Sequence, residues 1–221
     1  MKLARFISTG IILFSAACQS VVFSSDRSEY WHQRVSLFEK LPISSSDIVF
    51  LGNSITDGGE FTEMLGDLSV KNRGINSDDI LGVTERIGSI VDGKPQKIFL
   101  LIGINDISHN LSVNEMARLY ENLVKIIRER TPDTELYIQS VMPINNDFKR
   151  YRNLLGKEKV VKELNLSLGE IAKRYNATYI DLWDTLVLPG SDKLNPDFTN
   201  DGLHLLGEGY LRWLEVIKNY I

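Results

Sequence analysis

The sequence predicts one α/β domain in which helices cover both faces of a parallel sheet. Three observations lead there. Five short apolar runs alternate with amphipathic helical stretches from about residue 46 onward. The runs are apolar almost without interruption, as in strands covered on both faces. No internal repeat, low-complexity tract or linker follows residue 28. Strands alternating with helices imply βαβ units with right-handed crossovers, hence three layers.

The elements follow in order. A helix is predicted from Glu29 to Lys40, closed by Pro42. The first strand is Asp47 to Leu51 (Asp-Ile-Val-Phe-Leu), ending in a Gly-Asn-Ser turn. Val70 to Ile75 is the second strand and Lys97 to Ile104 the third; Glu135 to Val141 and Thr178 to Leu182 complete the five. Asp78 to Val91 carries Ile80, Leu81, Val83, Ile87 and Ile90 at helical spacing. Ser112 followed by Glu115 is a capping-box signature. It opens a helix to Arg130, striped by Met116, Leu119, Leu123, Ile126 and Ile127 and stopped by Pro132. Residues 158 to 175 and Glu208 to Tyr220 are the last two helices.

A chain of 221 residues with 43% hydrophobic residues is ordinary for one globular domain. A domain of this size buries roughly 70% of its unfolded surface, so it needs no disulfide or metal staple. The net charge of −4 provides no basic footprint for nucleic acid. The single cysteine, Cys18, rules out an intrachain disulfide.

The first residues are of another kind. Lys2 and Arg5 form a short positive region before an apolar run from Phe6 to Ala17. That run is too short to span a bilayer and suits a signal peptide. Small residues Ser15-Ala16-Ala17 precede Cys18 directly, which resembles a bacterial lipoprotein signal, although Ser15 stands where a larger aliphatic residue is usual. Residues 1–17 are therefore expected to be a signal peptide of lipoprotein type, with Cys18 lipidated. Residues 18–28 form a Ser-rich tether and 29–221 one domain. The protein would be exported, as a periplasmic or outer-membrane lipoprotein of a bacterium, and would meet a membrane only through that lipid. Plain secretion after cleavage at Ala17 is the alternative.

In open α/β sheets, ligands bind beyond the carboxyl ends of the strands. Four polar clusters fall there or before the last helix: Gly52-Asn53-Ser54, Asn72-Arg73-Gly74, Gly103-Ile104-Asn105-Asp106 and Asp201-Gly202-Leu203-His204. Together they suit acyl transfer. A serine hydroxyl needs a base to take its proton, and an imidazole titrates near neutral pH. A carboxylate must fix the imidazole tautomer, and Asp201 stands three residues before His204. The oxyanion of the intermediate needs hydrogen-bond donors. The Ser54 amide, the Gly74 amide and the Asn105 side chain can supply them. Taken singly, each has a plainer reading: a turn at Gly52-Asn53-Ser54 or Gly74, a helix cap at Asn105, a metal half-site at Asp201 and His204.

With these four blocks the chain resembles the SGNH/GDSL-type hydrolases over residues 46 to 220. Ser54 matches the first block, Gly74 the second, Asn105 in Gly-x-Asn-Asp the third, and Asp201-Gly-Leu-His204 the fifth. The subgroup is similar to platelet-activating-factor acetylhydrolase-like members and to secreted bacterial carbohydrate esterases. The resemblance implies a flavodoxin-like sandwich with a five-stranded parallel sheet and metal-independent ester hydrolysis without a cofactor. One departure is Asn53, where the family has Asp. The α/β-hydrolase signature Gly-x-Ser-x-Gly does not fit, because Thr56 replaces its last glycine.

The expected function is thus an exported serine ester hydrolase with catalytic Ser54, Asp201 and His204 and an oxyanion hole of Ser54, Gly74 and Asn105. Short acyl groups on a glycan or a small polar ester are the expected substrates, and no nucleic-acid partner is expected; the sequence leaves the oligomeric state open. Asn145 and Trp183, after the fourth and fifth strands, are the substrate-contact candidates. Asn146, beside Asn145, reads as a substrate contact or a turn residue, and His109 and His32 as loop or surface residues. The competing readings are a lysophospholipase- or thioesterase-type lipid hydrolase and a non-catalytic glycan-binding lipoprotein. A flavodoxin-like cofactor protein and a metal-dependent phosphoesterase are further alternatives.

Overall fold

The computed structural model describes residues 27–221. The expected signal peptide, Cys18 and the expected tether up to residue 26 lie outside the described residues. Arg27 and Ser28, read as the end of that tether, belong to the folded body. Arg27 pairs with Asp79 at 2.9 Å and Glu85 at 3.0 Å, and Ser28 caps the first helix.

Five parallel strands form the sheet, in the order β2-β1-β3-β4-β5. They are β1 (Ile48–Gly52), β2 (Val70–Gly74), β3 (Lys97–Leu101), β4 (Glu135–Gln139) and β5 (Thr178–Ile180). Strand order reverses at β1, so a crevice opens beyond the carboxyl ends of β1 and β3. The five predicted strands are all present; β1 is shifted one residue onward, and the other four end one to three residues early because the chain turns into polar site loops. The helices are α1 (Glu29–Phe38), α2 (Ser54–Asp57), α3 (Phe61–Leu65), α4 (Ile80–Arg86) and α5 (Gly88–Val91). After them come α6 (Ile104–Ser108), α7 (Val113–Arg130), α8 (Glu158–Arg174), α9 (Trp183–Leu186) and α10 (Gly207–Ile217).

Packing follows from the register. Phe50, Phe99 and Tyr137 occupy one row across β1, β3 and β4. Their rings stack at 4.9 Å and 4.5 Å between centroids. Phe61 from α3 stacks on Phe50 at 4.0 Å, and Trp213 from α10 meets Phe61 edge-on at 5.1 Å. Each such pair adds about 0.5–1.5 kcal/mol beyond the burial of its area. Helix α7 packs between α4 and α8, contacting both. Helix α7 carries the capping box, with the Ser112 hydroxyl accepting from the Glu115 amide and Glu115 accepting from the Ser112 amide. Its buried face is Met116, Tyr120, Leu123, Val124 and Ile127; Leu119 and Ile126 lie at its margin. The single helix expected over Asp78–Val91 is two, α4 and α5, meeting at Ile87. Among the described residues no helix is long and apolar enough to cross a membrane.

Candidate active site

Local chain chemistry sets Ser54 in place. Gly52 ends β1 against its neighbours: a Cβ there would stand 2.3 Å from the Leu101 carbonyl oxygen. Asn53 then caps α2, its Oδ1 accepting from the Ile55 amide at 3.0 Å. Asn53 is fully buried and does not line the cleft, and its Nδ2 has no protein partner. This explains why the Asp of the family motif can be replaced: an oxygen acceptor serves as the cap, and a carboxylate here would lose its hydration. Helix α2 is held from two sides. Tyr210 on α10 donates to the Ile55 carbonyl at 2.8 Å, and Asn72 Nδ2 donates to the Thr56 and Gly59 carbonyls at 2.7 and 2.8 Å.

The acid and base arrive on one short loop. Gly202 has φ +87°, and a Cβ on it would meet the Asn145 carbonyl oxygen at 2.2 Å, so only glycine fits. The Gly202 carbonyl accepts from the Asn145 amide at 2.8 Å, which seats the loop on the segment after β4. Asp201 Oδ1 accepts from the Leu203 and His204 amides at 2.9 and 2.8 Å. Its Oδ2 lies 2.7 Å from His204 Nδ1, and His204 Nε2 lies 2.9 Å from Ser54 Oγ. Burial raises the Asp201 carboxyl, but hydrogen bonds from His204, Leu203 and Tyr151 outweigh it and hold the group down to about 2. An ionised Asp201 only accepts, so the proton on Nδ1 is the donor and Nε2 keeps a lone pair facing the serine.

Tyr151 was not among the predicted residues. Its hydroxyl donates to Asp201 Oδ2 at 2.8 Å and lies 3.1 Å from His204 Nδ1. Burial, and then the bond to Asp201, push the phenol up to about 12, so it stays protonated and a donor. Nothing in the sequence singles it out among 8 tyrosines, since it sits on a loop without periodicity, 50 residues from Asp201.

Asn105, the second residue of α6, lines the same cleft as Ser54. Its Nδ2 donates one hydrogen to the Asp78 carbonyl at 2.7 Å, which fixes the amide and leaves its second hydrogen free. The Ser54 amide opens a helix and so has no acceptor within that helix. Gly74 departs from expectation. Its N–H is donated to Asn72 Oδ1 at 2.7 Å, an Asx-type turn, and it does not line the cleft. What Gly74 provides is close approach: a Cβ would stand 2.1 Å from the Asp57 nitrogen.

The remaining candidates separate. Ser54, Asn105 and His204 line one cleft of about 550 Å³, together with Asn76, Ser77 and Tyr151. Asn145 is buried away from it; its Nδ2 donates to the Leu194 carbonyl at 2.9 Å, and its Oδ1 accepts from the Asp147 amide at 3.1 Å. Both polar side-chain atoms of Asn145 thus hold backbone, which corrects its reading as a substrate contact. Trp183 lines a separate cavity of about 600 Å³ with Lys162 and Tyr179, so it too is not brought to Ser54. His109 and His32 are exposed, and Asn146 ties its loop to Glu158 on α8. Among the described residues no group of three His, Cys, Asp or Glu side chains stands together to hold a metal ion.

A serine, a histidine and a buried-facing aspartate in this geometry, at the reversal point of a doubly wound parallel sheet, define a Ser-His-Asp type of hydrolase site. Residues 50–212 match the model of the GDSL-like lipase/acylhydrolase family, and the chain belongs to that family of ester hydrolases. It is similar to the platelet-activating factor acetylhydrolase IB subunit alpha2 of Rattus norvegicus, at 26% identity over 172 residues, covering 75% of this chain and 72% of the relative. A solved Streptococcus pneumonia protein named for platelet activating factor superposes with TM-score 0.79 at 26% identity, covering 86% of this chain and 92% of that one. An acetylxylan esterase from Geobacillus stearothermophilus, solved as a catalytic mutant, shares the fold with TM-score 0.62 at 16% identity, covering 80% of this chain and 94% of its own.

Proposed function

We propose that the chain hydrolyses short-acyl esters of polar alcohols, acetylated glycans above all, through a Ser54 acyl-enzyme. The observation behind it is the hydrogen-bonded row Ser54 Oγ–His204 Nε2 at 2.9 Å and His204 Nδ1–Asp201 at 2.7 Å. Ser54 Oγ attacks the ester carbonyl as its proton passes to Nε2. The carbonyl oxygen becomes an oxyanion facing the Ser54 amide and the free hydrogen of Asn105 Nδ2. Collapse breaks the bond to the alcohol, which leaves with the proton from Nε2. Water then attacks the acyl group by the same route in reverse and frees the acid and Ser54. Asp201 stabilises the imidazolium, and Tyr151 holds Asp201 as a positioning residue.

The lining supports a polar alcohol: Asn76, Ser77, Asn105 and Ser108 face the cleft, against only two apolar side chains, Leu154 and Leu203. A lipid acyl hydrolase would need a longer apolar channel to bury its chain. The N-terminal pattern supports an exported enzyme with Cys18 as lipid anchor, and labelled palmitate absent from the protein but present in a control lipoprotein would exclude the anchor. The activity test is a series of p-nitrophenyl esters alongside fluorophosphonate labelling. Rates falling from acetate to octanoate, with labelling abolished in Ser54→Ala, are expected. Rates rising with chain length would overturn the short-acyl reading, and an unlabelled wild-type protein would overturn Ser54 as nucleophile.

A further inference from the structure

We propose that the cleft selects esters whose alcohol carries an anion, a carboxylate-bearing glycan unit in particular, through Arg150 and Arg152. This deepens the reading of Ser54 as an ester-hydrolysing nucleophile and rests on it. The charge of the cleft wall is one-sided: besides His204, its ionisable cations are Arg150 and Arg152, and no Asp or Glu lines it. That is not the average of the molecule, which has 29 acidic against 25 basic residues. Among the described residues neither guanidinium has a carboxylate within ion-pair distance, whereas nearby Lys193 is paired with Asp147 at 2.7 Å. Two cations beside a reacting centre, left without protein partners, are free to take an anion from outside.

Their placement is fixed from below. Both flank Tyr151, whose hydroxyl is bonded to Asp201 at 2.8 Å, so the segment that carries them is tied to the triad itself. Lys149 in the left-handed region (φ +54°) and the 3-10 turn at Arg152–Leu154 shape that segment. Arg150 also lines an adjoining cavity of about 500 Å³ with Phe148, Tyr151, Asn200 and Asp201, whose carboxylate is taken up by His204 and Tyr151, so a chain of sugars runs past the triad with Arg150 beside both stretches. A guanidinium presents a planar fork that matches a carboxylate in two parallel hydrogen bonds. With a short acyl group at Ser54, the rest of the cleft takes the alcohol, which places the anion there.

The test uses two aryl acetates of nearly equal shape, 4-acetoxybenzoate and the neutral 4-acetoxybenzamide. At low ionic strength kcat/KM should favour the anion by about tenfold, the lower range of what focused charge does for association. The preference should shrink as salt screens it. It should collapse in the double variant Arg150→Gln, Arg152→Gln and persist in the double lysine variant. Because the readout is a ratio between two esters, general damage to the enzyme cancels. Equal turnover of both esters by the wild-type protein, or a preference that survives the glutamine substitutions, would overturn the proposal while leaving Ser54 in place. Turnover of neither ester would overturn the ester reading beneath it.

Discussion

Two polar clusters lie at the carboxyl edge of the sheet, and Asn105 donates to the Asp78 carbonyl of one while lining the cleft of the other. One is the row Ser54–His204–Asp201–Tyr151, half-open to the cleft. The other is sealed beneath it: Asp78 pairs with Arg86 at 2.7 Å and accepts from Trp31 Nε1 at 3.1 Å. Arg86 also donates to the Gly52 and Arg73 carbonyls at 3.1 and 2.9 Å, lacing β1 to β2. In the sealed cluster, Asp78 meets guanidinium and indole donors, Arg86 meets its carboxylate and backbone carbonyls, and neither charged side chain is open to solvent. In the open row, one hydroxyl and one imidazole nitrogen face a cavity. Similar side chains serve structure or chemistry according to whether a reactive atom is left for a ligand.

The first way to break this contrast is Ser54→Ala. It should cost on the order of 10⁴–10⁶ in kcat while leaving the thermal midpoint nearly unchanged, since it removes one hydroxyl from an open site. A kcat within tenfold of wild type would end the serine mechanism. Arg86→Met should do the reverse, lowering stability by about 3–5 kcal/mol because Asp78 is left as an unpaired buried charge. Chemical denaturation reads this directly, and the folded fraction should keep its turnover. Asn105→Ala lies between the clusters, with an expected loss of about 10²–10³ in kcat. A loss below about threefold would remove it from the oxyanion hole.

Asp106, on the buried side of α6, sharpens the comparison through pH. Burial, with Asp79 as the nearby charge, raises its carboxyl from 3.8 to about 8, against hydrogen bonds from the Ile80 amide. A raised value means that the fold favours the protonated form. Its stabilising share is complete below the unfolded value and is lost as pH rises through about 8. Asp106→Asn should therefore gain thermal stability over wild type as pH rises from about 4 to about 8, measured as a midpoint difference that widens across that window and levels off above it; a constant difference would contradict it. Asp201 has the opposite sign, depressed to about 2, so its contribution is lost only in strong acid. The smallest effect is expected of Tyr151→Phe, a loss of severalfold in kcat/KM. Its mark is an acidic limb of the pH profile moved to higher pH, because Asp201 then keeps more charge for the imidazolium; an unshifted limb would reduce Tyr151 to packing.

Strand ends were where the sequence spoke clearly. Ser54, Asn105, Asp201 and His204 each follow an apolar run or precede a helix, so one topological rule brings them to a common edge, and the structure does so. The misses have a common cause. Whether an amide is free depends on side chains two residues away, as Asn72 shows by occupying the Gly74 N–H. Whether a loop asparagine or tryptophan faces substrate depends on tertiary contacts, and Asn145 and Trp183 are turned to other work. Tyr151 was hidden for the same reason in reverse. The break of the helix at Ile87 was invisible because its apolar spacing continues through both pieces.

The Gly202–Asn145 seat has a wider meaning. Asn145 joins three points distant in the chain: its own loop, Leu194 and the acid–base loop. The excursion from residue 146 to the start of α8, carrying Arg150, Tyr151 and Arg152, leaves the body just after that rivet. Sequence drift in the excursion at positions other than Tyr151, which holds Asp201, can reshape the cleft wall without shifting His204 from Ser54. Most of that wall and the reacting row thus lie on different stretches of chain joined at Tyr151, and one scaffold can vary the first while keeping the second.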